Sequence, residues 1–273
     1  MSNRLSRTAA IVAALALAAF AGPVAAADDA MVRVLHASPD APAVDVYVNG
    51  NKVGAPLAGL AFGDLSAYVK LPAGTYDLKV CAAADATVCP IVANGVALAA
   101  GTKYTIAATN VLASIEAQVI TDKPTPTTGK TQVRVVHFSA DTPTVDVLTQ
   151  GGAPVVEGLS YPSATGYLTL APGSYDLKVC AAGDANTCPL DPGALDLAGG
   201  TSYSVFAIGS LQGQSLTAVV GVDGIAVPAT DTVGATETGT TPLALQLVLL
   251  ALGIASFAGV LRLQTIRARR WTA

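Results

Sequence analysis

The chain contains two copies of one sequence, set about 100 residues apart. The string Val-Arg-Val-Leu-His-Ala-Ser-Pro-Asp-Ala-Pro-Ala-Val-Asp-Val at 32–46 returns as Val-Arg-Val-Val-His-Phe-Ser-Ala-Asp-Thr-Pro-Thr-Val-Asp-Val at 133–147, an offset of 101 residues. A second string, Gly-Thr-Tyr-Asp-Leu-Lys-Val-Cys at 74–81, returns with one change at 173–180, an offset of 99. A period of this length is typical of one compact domain and is too long for a solenoid unit. The duplication therefore predicts two homologous domains in tandem.

Each copy has the pattern of a β-domain. Short strands of the first copy are predicted at 32–35, 44–48, 65–71, 76–80, 102–107 and 114–120. Asn49-Gly50 favours a tight hairpin turn after the second of them. Strands at about 10-residue spacing, with no amphipathic helical stretch, are typical of a β-sandwich. We therefore predict an all-β fold with two tandem Ig-like antiparallel β-sandwich domains, residues 31–120 and 132–221.

Two low-complexity segments follow the predicted domains. Residues 121–131 are rich in Pro and Thr and are predicted to form a semi-extended, hydrophilic linker between the domains. Residues 222–242 are rich in Thr, Ala and Gly. They are predicted to form a stalk that holds the domains away from a membrane.

The first 27 residues have the three parts of a secretory signal peptide. Arg4 and Arg7 supply the basic start, an apolar run follows, and Ala25-Ala26-Ala27 is a small-residue cleavage site. An N-terminal anchor helix is the alternative, which the short apolar run disfavours. We expect residues 1–27 to be removed on export.

A second apolar segment lies near the C-terminus. Residues 243–261 are interrupted only by Gln246 and small residues, and at about 1.5 Å per residue a helix of this length is roughly 30 Å long, the thickness of a hydrocarbon core. Arginines follow within residues 262–273, which predicts a cytoplasmic tail. The sequence thus predicts a single-pass membrane protein whose N-terminus and domains are outside. A buried core helix is the alternative, but a compact β-domain does not need one.

The same region resembles the sorting signal of sortase substrates, in which a short motif precedes an apolar span and a basic cluster. Glu237, Thr238 and Gly239 match the end of that motif, and cleavage between Thr238 and Gly239 would transfer the chain to the cell wall. The preceding Leu-Pro of those substrates is replaced by Ala235-Thr236. Cell-wall attachment is therefore an alternative to a retained membrane anchor.

The charge of the exported region excludes one class of partner. All 19 acidic residues lie between Asp28 and Glu237, whereas six of the 15 basic residues lie in the predicted signal or tail, which leaves nine basic residues and a net charge of about −10. A surface of this sign without clusters of Lys and Arg repels a phosphate backbone. We expect no nucleic-acid partner.

The four cysteines occupy matched positions in the two copies: Cys81, Cys89, Cys180 and Cys188. The seven residues between the members of each pair do not match the spacing of zinc sites, and no Cys-x-x-Cys redox motif is present. In an exported chain this spacing favours one disulfide per domain. Closing so short a loop adds roughly 2–3 kcal/mol of stability on the chain-entropy account.

The string His-Ala-Ser-Pro-Asp-Ala-Pro-Ala-Val-Asp-Val-Tyr-Val-Asn-Gly, at 36–50, resembles the hallmark of a bacterial and archaeal family known as domain of unknown function 4397. Leu-Pro-Ala-Gly-Thr-Tyr at 71–76 and Ala-Gly-Thr-Lys-Tyr-Thr at 100–105 are similar to its other two landmarks. The second copy departs from the hallmark at Phe138 and Ala140, among other positions. The resemblance implies an exported Ig-like β-sandwich, often in tandem, and brings neither an activity nor site residues.

The two histidines are the leading candidates for a ligand site. Each candidate site combines a histidine with two acidic residues: His36, Asp40 and Asp45 in the first copy, and His137, Asp141 and Asp146 in the second. Zinc and copper sites gather three or four convergent ligands, and the spacing of a calcium loop is absent. We therefore favour a structural role, in which the imidazole bonds the turn and Asp40 caps it. We expect no metal and no cofactor.

Two further activities are weaker alternatives. A hydrolase would use Ser38, which lies two residues from His36 and therefore on the same face of a strand, but no Gly-x-Ser-x-Gly elbow is present. Glycan-binding modules present exposed aromatic platforms. Aromatic residues make up 5% of this chain, and its one tryptophan is Trp271 in the basic tail.

These features together predict a non-catalytic cell-surface protein. It would be a membrane-anchored structural or adhesive ectodomain of two sandwiches that fold independently, each closed by one disulfide. A ligand-binding module for a metal or a glycan at the histidine turns is the second hypothesis, and an extracellular hydrolase is the third. A partner in the cell envelope is expected, with no sequence feature that identifies it.

Overall fold

The computed structural model describes residues 28–227. Four predicted features lie outside the described residues: the signal peptide (1–27), the transmembrane helix (243–261), the basic tail (262–273) and the sorting site (Glu237, Thr238 and Gly239). Between Asp28 and Val227, no helix is long and apolar enough to cross a membrane.

Strands dominate the described residues, and the predicted all-β fold is confirmed. The first repeat contains β1 (Ala30–His36), β2 (Val44–Val48), β3 (Asn51–Lys52), β4 (Val69–Leu71), β5 (Gly74–Ala82), β6 (Ile91–Leu98), β7 (Lys103–Thr109) and β8 (Glu116–Asp122), with a short 3-10 helix at Leu112–Ser114. The second repeat contains β9 (Thr131–Phe138), β10 (Val145–Thr149), β11 (Pro154–Leu159), β12 (Ser163–Ala164), β13 (Leu168–Leu170), β14 (Gly173–Ala181), β15 (Leu190–Leu197), β16 (Thr201–Ile208) and β17 (Thr217–Ile225).

Each repeat folds into two sheets that enclose a core. The outer sheets have the strand orders β3-β2-β5-β6 and β11-β10-β14-β15. The inner sheets have the orders β4-β1-β7-β8 and β12-β9-β16-β17, and β13 also pairs with β9. Because successive side chains of a strand point to opposite faces, every second residue enters the core between the sheets. In the first repeat, Val34 and Ile106 of the inner sheet pack with Val46 and Val80 of the outer sheet.

The inner sheets are mixed, which corrects the prediction of purely antiparallel sheets. Strand β1 runs parallel to β7, with Val34 opposite Ile106, and β9 runs parallel to β16, with Val135 opposite Val205. The strand order also differs from the immunoglobulin order, in which the first two strands share a sheet. Here β1 and β2 lie in different sheets. An alternating sequence predicts a strand but does not show which neighbour it pairs with, so the order could not be predicted.

The two inner sheets also pack against each other, across the boundary between the repeats. Their apolar contact combines Leu35, Ala37 and Ala107 of the first repeat with Val136, Phe138, Phe206 and Ile208 of the second. Strands β1 and β9 are therefore buried on both faces. Residues 28–227 lie in one compact unit. This corrects the expectation of two separate bodies; whether the repeats also unfold together is tested below.

The two sides of this contact are complementary in size. Ala37 and Ala107 occupy the positions at which the second repeat has Phe138 and Phe206. The two phenylalanine rings stack with their centroids 6.2 Å apart, and both are fully buried. Small side chains on one repeat thus leave room for the aromatic rings of the other, which favours pairing of the first repeat with the second.

Both predicted domains end too early. The prediction placed Asp122 in the linker and Asp223 in the stalk, but β8 extends to Asp122 and β17 extends to Ile225. The aspartates are 3% and 1% exposed. From the sequence, an aspartate at the end of a strand cannot be told apart from the start of a polar linker. The two aspartates are buried because each pairs with an arginine of the opposite repeat.

Candidate functional site

The first candidate site is the turn that follows β1 and contains His36. The ring is fully buried at the end of the strand. Its Nε2 lies 3.0 Å from the carbonyl oxygen of Pro42, and its Nδ1 accepts the backbone N–H of Ser38 at 3.3 Å. An imidazole that accepts at Nδ1 and donates from Nε2 is neutral and has no free nitrogen. His137 repeats both contacts in the second repeat.

The first acidic residue of each candidate site binds a distant loop. Asp40 Oδ1 accepts the backbone N–H of Leu112 at 2.7 Å, in the connection between β7 and β8. Asp141 accepts Ser210 Oγ at 2.6 Å and two backbone N–H groups of the equivalent connection. Burial alone would raise the pKa of Asp141, but these hydrogen bonds hold it below its ordinary value. Asp40 therefore connects two loops, which corrects the prediction that it caps the histidine turn.

The second acidic residue lies on the outer sheet. Asp45 accepts the backbone N–H of Gly59 at 2.8 Å and pairs with Lys52 Nζ at 2.5 Å. The hydrogen bond from Lys52 lowers the pKa of Asp45. Asp146 accepts two backbone N–H groups, at 2.7 and 2.8 Å, which lower its pKa in the same way.

The three residues of each candidate site therefore do not converge. The imidazole of His36 faces its own turn, Asp40 faces the β7–β8 connection and Asp45 faces the loop after β3. Across the described part of the chain, no group of three or more His, Cys, Asp and Glu side chains could hold a metal ion. In this geometry, the three residues bind backbone groups of turns and loops, which is a structural role.

Burial of the histidines makes the stability of the protein depend on pH. It lowers the pKa of His36 and of His137 from the ordinary value of 6.5. The unfolded chain therefore binds more protons than the folded chain as the pH falls through 6.5, so the free energy of unfolding decreases in that direction. The slope per imidazole is at most about 1.4 kcal/mol per pH unit.

We expect chemical denaturation between pH 7.5 and 5.5 to show this loss of stability. Changing both His36 and His137 to Gln, which keeps a side-chain donor for the turn carbonyl, should flatten the curve. Carboxylates with lowered pKa values, such as Asp141, act only as the pH approaches their ordinary value of 3.8, below this window. A wild-type curve without slope, or an equal slope in the double variant, would contradict the assignment.

The two histidine turns differ in one hydrogen bond. In the second repeat, Ser139 Oγ lies 2.7 Å from Thr142 Oγ1. The equivalent Ser38 Oγ is fully buried and has no hydrogen-bond partner, because Ala41 stands where the second repeat has Thr142. A buried hydroxyl without a partner costs about 1–3 kcal/mol.

We expect Ala41→Thr to raise the free energy of unfolding by about 1 kcal/mol, because it supplies the missing partner. The matched change Thr142→Ala should lower it by about 1–2 kcal/mol. Equilibrium unfolding in urea measures both. A neutral or destabilising Ala41→Thr would show that the hydroxyl of Ser38 is satisfied in another way.

Both predicted disulfides are confirmed. Cys81 is bonded to Cys89, and Cys180 is bonded to Cys188. Each bond begins in the long central strand of an outer sheet, β5 or β14, and closes the loop that follows it.

The largest charged cluster lies between the repeats, where the sequence analysis predicts no site. Arg33 of β1 extends into the second repeat, and its Nη2 donates to Asp223 Oδ1 at 2.5 Å. Its Nη1 donates to the carbonyl oxygen of Val222 at 3.2 Å, and its Nε donates to Thr105 Oγ1 at 2.8 Å. The arginine is 2% exposed, and each of its three nitrogens has a partner.

The same arrangement occurs a second time, with an arginine of the second repeat that extends into the first. Arg134 of β9 donates to Asp122 of the first repeat, to Ser204 Oγ at 2.7 Å and to the carbonyl oxygen of Thr121 at 3.2 Å. Arg33 Nη2 also lies 3.8 Å from Asp122. Each repeat therefore supplies one arginine and one aspartate to the ion pairs between the repeats, and the formal charges of these four residues cancel. Lys103 of β7 adds a further cation, since its Nζ donates to the carbonyl oxygen of Asp223 at 2.5 Å.

Two tyrosines complete this cluster. Tyr68 donates to Asp122 Oδ2 and Tyr167 donates to Asp223 Oδ2, each at 2.6 Å. Burial raises the pKa of both tyrosines, so they remain donors at neutral pH. The guanidinium of Arg33 also lies 4.7 Å from the ring centroid of Tyr68, within cation–π range. A buried ion pair is tolerated when its remaining polar atoms are hydrogen-bonded, and this cluster meets that condition.

The spacing of charged residues in the two copies indicates this cluster. Arg33 and Arg134 are separated by 101 residues, and so are Asp122 and Asp223. Each arginine lies between two valines that enter the core of its own sandwich, so the alternating pattern places the arginine on the outer face of the strand. Matched charged residues on the apparent outer face of both copies indicate that the two faces meet.

Comparison with known proteins identifies a family. The sequence profile described as "Domain of unknown function (DUF4397)" matches residues 30–148 and 138–235. No curated protein matches the chain.

Three solved structures show weak similarity. The C-terminal domain of AlgF from P. aeruginosa is 24% identical, over 34% of this chain and 98% of that chain, with a TM-score of 0.28. The Bacillus anthracis TIE protein is 12% identical, over 67% of this chain and 34% of that one, with a TM-score of 0.22. A leucine-rich repeat protein from Bacteroides thetaiotaomicron is 11% identical, over 68% and 27%, with a TM-score of 0.18. These TM-scores are too low to bear on fold or function.

Proposed function

The chain belongs to the DUF4397 family, and we propose that it is a non-catalytic protein of the cell surface, a structural or adhesive ectodomain anchored in the membrane. Its two repeats act as one stiff body that is exported, held by the predicted span at 243–261 and displayed outside the cell. The observation that carries this proposal is the exchange of ion pairs between the repeats, Arg33 with Asp223 and Arg134 with Asp122.

A stiff tandem suits a surface role because it transmits position and force. Two domains that share only a linker bend at the linker. Here, bending would expose the rings of Phe138 and Phe206 and would separate two buried ion pairs. Removing one partner of such a pair costs about 3–5 kcal/mol, so the joint between the repeats, which is the contact of their two inner sheets, resists opening.

Two further observations support this role. Disulfides persist in oxidising compartments, and the two in this chain are compatible with export. The side chains from which a metal site would be built are occupied: both nitrogens of His36 have backbone contacts, and Asp40 is bonded to the β7–β8 connection. A structural role of these residues accounts for each of these contacts.

Protease treatment of intact producing cells tests surface display. We expect the protease to release a resistant fragment that spans residues 28–227, while a cytoplasmic marker protein remains intact. Mass spectrometry of the untreated chain then reads its C-terminus: an end at Ala273 indicates a retained span, and an end at Thr238 indicates transfer to the wall. Survival of the whole chain in intact cells, with degradation only after lysis, would contradict display.

A complementation experiment tests the non-catalytic role. Deletion of the gene is expected to weaken cell attachment or envelope integrity, and a copy with His36→Gln and His137→Gln should restore it fully. The matched control is Arg33→Met at the same level of surface display, which should restore it poorly because the joint between the repeats is weakened. Failure of the histidine variant at normal display would support ligand binding or hydrolysis instead.

A further inference from the structure

The core of the second repeat contains a cavity of about 110 Å³ between its two sheets. Val133 and Val205 of the inner sheet form one side, and Val147, Leu177 and Val179 of the outer sheet form the other. No polar atom is exposed on its wall.

The polar side chains that line the cavity direct their polar atoms elsewhere. The hydroxyl of Tyr175 donates to the carbonyl oxygen of Ala171 at 2.7 Å, and Thr149 Oγ1 accepts the backbone N–H of Ala153 at 3.1 Å. The cavity therefore offers an occupant no hydrogen bond and no charge.

The buried core is divided differently in the two repeats. The buried core residues of the first repeat form one cluster, whereas those of the second form two, which are joined by partly buried side chains such as Tyr175. On the cavity wall, Val205 is smaller than the equivalent Ile106 of the first repeat, whereas Leu168 is larger than the equivalent Val69.

We propose that the second repeat binds a small, uncharged apolar molecule, about the size of benzene, inside its sandwich. An apolar cavity of roughly 150 Å³ in another protein stays dry and binds benzene or xenon. The cavity here is of the same order and has the same kind of wall. A charged or hydrogen-bonding molecule is excluded, because its polar groups would lose water and find no partner.

The cavity has a route to solvent at the edge of the sandwich. Val155 on the edge strand β11 and Leu168 on β13 both line it, and both are only half-buried. A small ligand can enter between these side chains without opening the contact between the inner sheets, so binding does not require the joint of the two repeats to separate.

Thermal unfolding in the presence of benzene tests the proposal on residues 28–227. We expect the Tm to rise by about 3–5 °C at a benzene concentration ten times its Kd. The variant Val205→Ile, which adds a methyl group to the cavity wall as in the first repeat, should reduce this rise. The matched control is Val220→Ile, since Val220 is 43% exposed, and this variant should keep it.

Xenon-induced shifts of methyl resonances provide a second measurement that needs no variant. The shifts should be confined to the methyl groups around the cavity, such as Val133 and Val205, and absent from the equivalent Val32 and Ile106 of the first repeat. A wild-type Tm that benzene does not raise, an equal rise in the filled variant, or shifts spread over both repeats would overturn the proposal.

Discussion

Replacing Arg33 with Met is expected to lower the free energy of unfolding by about 3–5 kcal/mol, because it removes the nearer of the two cations of the buried Asp223 and leaves only Arg134 Nε, at 3.8 Å. Asp223 keeps its hydrogen bonds from Ser204 and Tyr167, but Oδ1 loses the guanidinium that lies at 2.5 Å. Methionine has a similar length and fills much of the same volume, so the change tests the charge more than the packing. Equilibrium unfolding in guanidinium chloride measures the loss.

A matched control and a double variant sharpen this test. Lys79 is a basic residue on an outer strand whose side chain is exposed, and Lys79→Met should change stability by no more than about 0.5 kcal/mol. Adding Asp223→Asn to Arg33→Met should cost less than the sum of the single changes, because the unpaired charge is removed as well. An Arg33→Met protein within about 1 kcal/mol of wild type, a cost typical of an exposed position, would contradict the buried cluster.

The Phe206→Ala variant is expected to lose about 3–5 kcal/mol of stability, as large-to-small changes at fully buried aromatic positions do. The ring stacks on Phe138 and lies 5.5 Å from the guanidinium carbon of Arg33. The facing positions of the first repeat, such as Ala107, are too small to fill the space left behind. The cavity would open in the contact between the repeats and not inside either sandwich.

Val92→Ala is the control for this change, because Val92 lies on an outer sheet and is 53% exposed. It should cost less than about 0.5 kcal/mol. Both variants are measured by thermal and denaturant unfolding. A loss below about 1 kcal/mol for Phe206→Ala would show that the two inner sheets do not share a packed contact in solution.

The sequence predicted the local structure better than the assembly of the repeats. Alternation of apolar residues located most strands of the first repeat but missed β3 and β6. The spacing of Cys81 and Cys89 led to the correct disulfide, because it depends on neighbours in the chain. The alternation could not show that a second sheet covers the outer face of β1. The alternation therefore does not indicate that Arg33 is buried, although its exposed fraction is 2%.

The histidine turn shows the same limit. The sequence placed His36, Asp40 and Asp45 near each other along the chain, and the structure brings each to a different partner. Asp45 lies in a strand of the outer sheet and the ring of His36 lies at the end of an inner strand, so sequence proximity did not become proximity of side chains. The partner of Asp40, in the β7–β8 connection, is 72 residues away.

Native-state hydrogen exchange on residues 28–227, compared between wild type and Arg33→Met, tests most directly whether the two repeats form one body. The best-protected amides lie in core strands, so β5 reports on the first repeat and β14 on the second. If the repeats unfold together, both strands exchange with the same free energy, and Arg33→Met lowers that value equally in both. Loss of protection in β5 alone, with β14 unchanged, would contradict the account and show two domains that open independently.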